Sequence, residues 1–145
     1  MKRMEIGSNE LILMKMFESI TGVMPLDILQ FEDALFFSVD KERIREAIGP
    51  KGIKIEKLMK RLNKRVYVFA DAEDIEEFIR NFFNNVNIIS IDVEDIMGER
   101  VVYLLVDERD KKKALGKRGT RINALRELLK RKFNAKLAFK TKVMV

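Results

Sequence analysis

The amino-acid sequence predicts an α+β protein built from two tandem copies of one small unit. Each unit reads helix–strand–strand–helix–helix–strand, with a three-stranded sheet packed on helices. Three observations carry this expectation. The chain has 145 residues, enough for two small domains. A pattern recurs at an offset of 67 residues: Val39-Asp40 returns as Val106-Asp107, Ala47 as Ala114, Gly49 as Gly116, Gly52 as Gly119, Ile55 as Ile122, Leu58 as Leu125 and Leu62 as Leu129. Matches held in register over that span mark a duplication. Finally, helical and strand periodicities follow one another in the same order in both halves.

In the first half, Leu11, Ile12, Met14, Met16, Phe17 and Ile20 predict an apolar helix from Asn9 to about Ile20, capped by Ser8 or Asn9. Gly22 and Pro25 mark a loop before a short strand at Asp27–Phe31. Ala34–Val39 is an apolar strand. Asp40 is placed to cap a short helix through Ile48, whose Ile44, Ala47 and Ile48 share a face. Beyond Gly49-Pro50-Lys51-Gly52, a helix runs from Ile53 to about Asn63, with Ile55, Leu58, Met59 and Leu62 on its buried stripe. Lys64–Ala70 closes the unit as a strand.

The second half repeats the order. Ala72–Asn84 is an acidic helix with Ile75, Phe78, Ile79, Phe82 and Phe83 on its apolar side. Val86–Val93 and Arg100–Val106 are strands, followed by a short helix in Asp107–Leu115, the Gly116–Gly119 turn, a helix over Thr120–Lys132 and a strand near Ala135–Val143. Lys111 stands where the first repeat has Ile44, so this short helix is expected to be the weaker one, leaning on Val106, Ala114 and Leu115. The domains are expected at 1–70 and 71–145. No Pro/Gly/Ser-rich linker separates them, and they read as one fairly rigid rod. Tyr67, Tyr103 and the Phe residues are read as core.

Composition excludes most chemistry. There is no Cys and no His, hence no disulfide, no thiolate nucleophile, no Cys-based zinc site and none of the commonest general base. No Gly-x-x-x-x-Gly-Lys-Ser/Thr string occurs, because Gly116-Lys117 is followed by Arg118. The acidic groups Glu73, Asp74, Glu76, Glu77 and Asp92, Glu94, Asp95 are read as helix-dipole and strand-edge acids rather than magnesium ligands. A non-enzymatic protein without cofactor or metal is expected. After the Met1-Lys2-Arg3 start, the apolar run Leu11–Met14 is broken by Lys15, too short for a signal or a membrane span. A cytoplasmic location follows as the expectation.

The net charge is +6, and it is segregated. Lys51–Arg65 holds seven bases and one acid; Asp71–Asp107 holds two bases and ten acids; Glu108–Lys142 holds fourteen bases and three acids. Both basic blocks begin at or beside a Gly-x-x-Gly turn, which points to a polyanion held at the same place in each unit. The turns share the string Ile/Leu-Gly-x-x-Gly-x-x-Ile-x-x-Leu, from Ile48 to Leu58 and from Leu115 to Leu125. Glycine suits a tight turn between helices. The start of the next helix favours a phosphate through its N–H groups and dipole. Pro50 removes one N–H and stiffens the first turn, so the second, with Lys117, Arg118 and Arg121 close together, is expected to grip more firmly.

With these motifs the sequence resembles the KH family in its type II (prokaryotic) variant. That resemblance implies that each loop clamps about four nucleotides of single-stranded RNA. The bases would lie between the second helix and the neighbouring strand. The residues so implicated are Gly49, Pro50, Lys51, Gly52, Ile53, Lys54 and Lys57 in the first unit. In the second they are Gly116, Lys117, Arg118, Gly119, Thr120, Arg121 and Asn123. Ile53, Thr120 and Asn123 are expected to face the groove, and Ile48, Ile55, Leu115 and Ile122 the core.

More narrowly, the stretches Phe17–Val23, Glu77–Asn81 and Ala114–Lys117 are similar to the archaeal NusA-like proteins, and the likeness covers essentially the whole chain. It implies a role in transcription termination or antitermination through nascent RNA, with RNA polymerase or other transcription or ribosomal components as further partners. No membrane partner is expected, and a monomer is favoured. The alternative is a KH scaffold that docks on RNA polymerase or the ribosome with little RNA affinity of its own.

Overall fold

The computed structural model describes residues 8–144. Of the two residues read as capping the first helix, Asn9 lies within α1 and the side chain of Ser8 lies outside the described residues, as does the Met1-Lys2-Arg3 start. The chain divides into two units between Glu73 and Asp74, three residues after the boundary read from the sequence at Ala70.

The first unit is α1 (Ser8–Thr21), β1 (Asp27–Phe31), β2 (Ala34–Val39), α2 (Ile44–Ile48), α3 (Ile53–Leu62) and β3 (Arg65–Ala70). The second is α4 (Ile75–Phe82), β4 (Ile88–Ile96), β5 (Glu99–Asp107), α5 (Lys111–Leu115), α6 (Thr120–Phe133) and β6 (Ala135–Lys142). Short 3₁₀ turns lead into α2, α3, α5 and α6. Each unit has one three-stranded sheet of the same topology, β1-β2-β3 and β4-β5-β6. The first pair is an antiparallel hairpin and the second a parallel pair joined through both helices. This is the expected α+β duplication of a KH-like unit.

Burial follows the apolar stripes. In the first unit Phe17, Leu35, Phe37, Val39, Ala47 and Leu58 are fully buried, and the Phe17 and Phe37 rings stack 4.4 Å apart. In the second, Val102, Leu104 and Val106 alternate inward along β5 and are buried, as are Ile122, Leu125 and Leu129 of α6. The same alternation turns Tyr103 outward, 38 % exposed, so Tyr103 is a surface residue rather than core.

Two boundaries differ from the sequence reading for local reasons. Helix α4 starts at Ile75 and not at Ala72, because the Asp74 carboxylate accepts from Glu77 N–H at 3.0 Å and fixes the N-cap there. Strand β4 starts at Ile88, because the Asn87 N–H is taken by the Asp110 carboxylate at 2.7 Å. It runs on to Ile96, where Met97 (φ 50°) and Gly98 (φ 84°) make a two-residue turn with both φ positive.

Helix α5 is as long as α2, five residues each, despite Lys111. Its apolar contribution is thin, with Ala114 fully buried. Hydrogen bonds make up the rest. Asp107 accepts from Arg109 N–H at the start of the 3₁₀ turn that leads into α5, and the Lys113 carbonyl accepts from Arg121.

Candidate nucleic-acid interface

The site is a tight connection between two helices, made twice. In the first unit the Gly49 N–H bonds the Arg45 carbonyl at 2.9 Å and ends α2. The chain then passes through Gly49 (φ 76°, ψ 170°), Pro50, Lys51 (φ 54°, ψ 26°) and Gly52 (φ 74°, ψ 18°) into α3. In the second unit the Gly116 N–H bonds the Lys112 carbonyl at 3.0 Å. There the path runs through Gly116 (φ 73°, ψ 173°), Lys117, Arg118 (φ 59°, ψ 27°) and Gly119 (φ 72°, ψ 12°). The two backbones superpose in dihedral space to within a few degrees, so Pro50 leaves the turn's shape unchanged.

The two glycines of each loop serve different ends. A Cβ on Gly116 would fall 2.7 Å from the Arg121 Cβ and 2.8 Å from its backbone N; on Gly49 it would fall 2.8 Å from the Lys54 Cγ. This first glycine lets the loop close onto the following helix. A Cβ on Gly52 would meet nothing within 4 Å, and one on Gly119 only the Asn123 amide at 3.4 Å. The second glycine therefore faces open space, where a ligand backbone has room to approach.

Neither α3 nor α6 has a side-chain cap, since its N-cap residue is that second glycine. The helix N-terminus keeps its partial positive charge directed outward. Lys51, Lys117 and Arg118 at the loop tips are exposed, as are Pro50, Ile53, Lys57 and Asn123 nearby. Lys51 and Arg118 adopt the left-handed conformation without being glycine, which costs about 1–2 kcal/mol each.

Three expected site residues face inward. Thr120 is 1 % exposed and its Oγ1 donates to the Lys117 carbonyl at 2.6 Å, so it locks the loop instead of lining a groove. Arg121 is 4 % exposed. Its Nη1 donates to the Lys113 carbonyl at 3.0 Å, and its Nη2 donates to the Phe82 carbonyl at 3.2 Å and Asn85 Oδ1 at 2.7 Å. Its guanidinium carbon lies 5.0 Å from the Phe83 ring centre. Lys54, the equivalent residue of the first unit, donates to the Thr21 and Glu46 carbonyls, both at 2.7 Å. Sequence reasoning counted Lys54 and Arg121 as phosphate ligands from their sign and place. The signal that separates them from Lys51 and Lys117 is helical phase: each lies one residue before the inward Ile55 or Ile122.

Electrostatics elsewhere is structural. Asp107 is buried, and hydrogen bonds from the Arg109 side chain and backbone hold its carboxyl down to about 2. Glu76 pairs with Arg80 at 3.1 Å and Asp95 with Arg100 at 3.3 Å. Among the described residues no group of acids is disposed to hold a metal ion, and no helix is long and apolar enough to cross a membrane.

No protein-family model matches the chain. A Halococcus morrhuae protein named probable transcription termination protein NusA is 30 % identical over 132 residues, covering 91 % of this chain and 94 % of that protein. A Halobacterium salinarum protein of the same name is 29 % identical over 122 residues, covering 84 % and 87 %. The crystal structure of APE1850 superposes with a TM-score of 0.75 at 32 % identity, covering 94 % of this chain and all of that one.

Proposed function

The chain belongs to the archaeal NusA family, and from that premise we propose that it binds single-stranded RNA through its Gly-x-x-Gly loops and acts in transcription termination or antitermination. The observation that carries this reading is the matched pair of loops. Each presents an uncapped helix start, a glycine open on its outer side, and exposed cations at the tip. Such a surface suits a sugar–phosphate backbone. The helix start and the cations meet phosphate charge, and the missing Cβ lets the strand come close.

The assignment is by residue. Lys51 with Lys57, and Lys117 with Arg118, neutralise phosphates. Gly49 and Gly116 close the loops, Gly52 and Gly119 admit the strand, and Ile53 and Asn123 border the bases. Pro50 holds the first turn. Lys54, Thr120 and Arg121 act from behind, by fixing loop position. The protein works without chemistry of its own, in the cytoplasm, with nascent RNA as ligand and RNA polymerase or a ribosomal component as docking partner.

The test is fluorescence anisotropy of short labelled single-stranded RNAs across a salt series, comparing wild type with Lys117→Asp/Arg118→Asp. Salt-dependent binding that the variant largely loses is the expected result. Equal binding by the variant overturns the clamp assignment. Absence of binding in the wild type leaves the docking scaffold as the better reading.

A further inference from the structure

The second unit carries an open cleft of about 510 Å³ beyond the reach of its loop. Arg126 and Lys130 come to it from α6, Lys136 from β6, and Glu99 and Arg100 from the start of β5. Four cations therefore face one acid. Lys136 pairs with that acid, Glu99, at 3.1 Å, Arg100 pairs with Asp95 at 3.3 Å, and Arg126 donates to the Leu137 carbonyl. Lys130 makes no ion pair among the described residues. The buried Ala135 and Leu137 give the cleft an apolar floor.

The positive charge of this cleft is a property of one repeat only. At the equivalent places the first unit has Glu32, Asp33, Met59 and Arg65, given the common offset of 67 and the pairing of Ala34 with Arg65 as Val101 with Lys136. Two acids and one base stand there, where the second unit has one acid and three bases. Helix α3 has ten residues and α6 fourteen, so Lys130 falls in a turn that the first unit lacks. The added length and the reversed charge meet in one cleft.

The cleft also lies on the line the loop begins. Asn123, Lys130 and Asn134 are spaced seven and four residues apart, one face of α6, with Arg126 beside them. That face starts at the loop and ends in the cleft, and Lys130 is about 16 Å from Gly119 along the helix axis.

We propose that this cleft is a second phosphate site, which takes a later backbone phosphate of the strand held at Lys117 and Arg118. The inference rests on the RNA-binding reading above and adds to it a longer footprint on the second unit. Lys130 supplies the free charge, Arg126 the second donor, and the apolar floor accommodates a base.

The test uses the full chain and two labelled RNAs, one of about four nucleotides, the span a KH loop holds, and one about twice as long. Lys130→Glu is compared with Lys15→Glu, the same charge change on an exposed site of α1, and with the loop variant. Lys130→Glu is expected to weaken the longer RNA about tenfold. It also lowers the salt slope for that RNA by about 0.7, one phosphate's share. The short RNA should bind as it does to Lys15→Glu. If Lys130→Glu matches Lys15→Glu on both RNAs, the cleft is off the strand's path; if it weakens both equally, it acts within the loop's own span or through the fold. Either result overturns the inference, while the loop reading stands. If wild type binds neither RNA, both readings fall together.

Discussion

Lys54 and Arg121 occupy the same position of the two units and reach the same two places. Each reaches a carbonyl at the end of its unit's first helix, Thr21 or Phe82, and a carbonyl of the short helix before its loop, Glu46 or Lys113. The offset of 67 residues that relates the loops also relates Glu46 to Lys113. One cation per unit thus ties three helices together behind the loop, which sets where the loop tip stands.

Removing that tie leaves helix-end carbonyls without their donor. Arg121→Ala is expected to destabilise the protein by about 3 kcal/mol, and Lys54→Ala, which is less buried, by about 1–2 kcal/mol. Arg121→Lys should recover part of the loss, because a single ammonium reaches both carbonyls in the first unit. Urea unfolding checks this. An Arg121→Ala midpoint equal to wild type would rule out the tie as a stabilising element.

The two glycines of the second loop should separate by readout. Gly116→Ala meets both a positive φ and a contact at 2.7 Å, so its cost in stability is expected above about 2 kcal/mol. Gly119→Ala meets the φ alone, about 1–2 kcal/mol, yet places a methyl on the open side. Gly119→Ala is therefore expected to lower RNA affinity by more than its stability loss explains, measured by anisotropy at a temperature where both variants are folded.

Arg118→Gly should move stability and binding in opposite directions. Glycine relieves the left-handed conformation at φ 59°, for a net gain of about 0.5–1 kcal/mol, and deletes a tip cation. Thermal unfolding and anisotropy on the same preparation report the two signs. Loss of stability on this change would mean that the Arg118 side chain supports the loop.

Acid unfolding should carry the signature of Asp107. Its folded pKa of about 2 lies below the ordinary carboxylate value, so its contribution is fully present above about pH 4. That contribution falls as pH drops and is gone once pH passes through about 2. Asp107→Asn removes the titration, and stability should then depend less steeply on pH across that window. An unchanged slope in urea titrations between pH 4 and 2 would contradict the assignment.

The loops were legible in sequence because glycine, apolar and basic positions repeat at a fixed offset, and a duplicated turn constrains all three residue types. The strand Ala34–Val39 was equally plain, as a short apolar run between turn residues, whereas Asp27–Phe31, with Asp27 and Gln30 in it, carried a weaker signal. The start of α4 was not, since Asp71, Glu73 and Asp74 lie close together before Ile75 and only hydrogen bonding chose Asp74. Tyr103 was misread because an almost wholly apolar strand hides its alternation. Which residues of Val-Val-Tyr-Leu-Leu-Val face inward depends on the register with β4 and β6.

By itself the sequence determined the duplication, the order of elements, the place of both loops and their basic character. These are encoded locally, in periodicity and in residues whose backbone preferences need no distant partner. Only the tertiary structure decided which cations remain for a ligand. Lys51, Lys117 and Arg118 point out, whereas Lys54 and Arg121 turn inward to carbonyls 33 and 39 residues away. The same holds for the cleft at Lys130, whose walls come from three separate segments. Charge is written in the sequence one residue at a time, but its availability depends on which buried carbonyls need a donor, and that is settled only when distant helix ends meet.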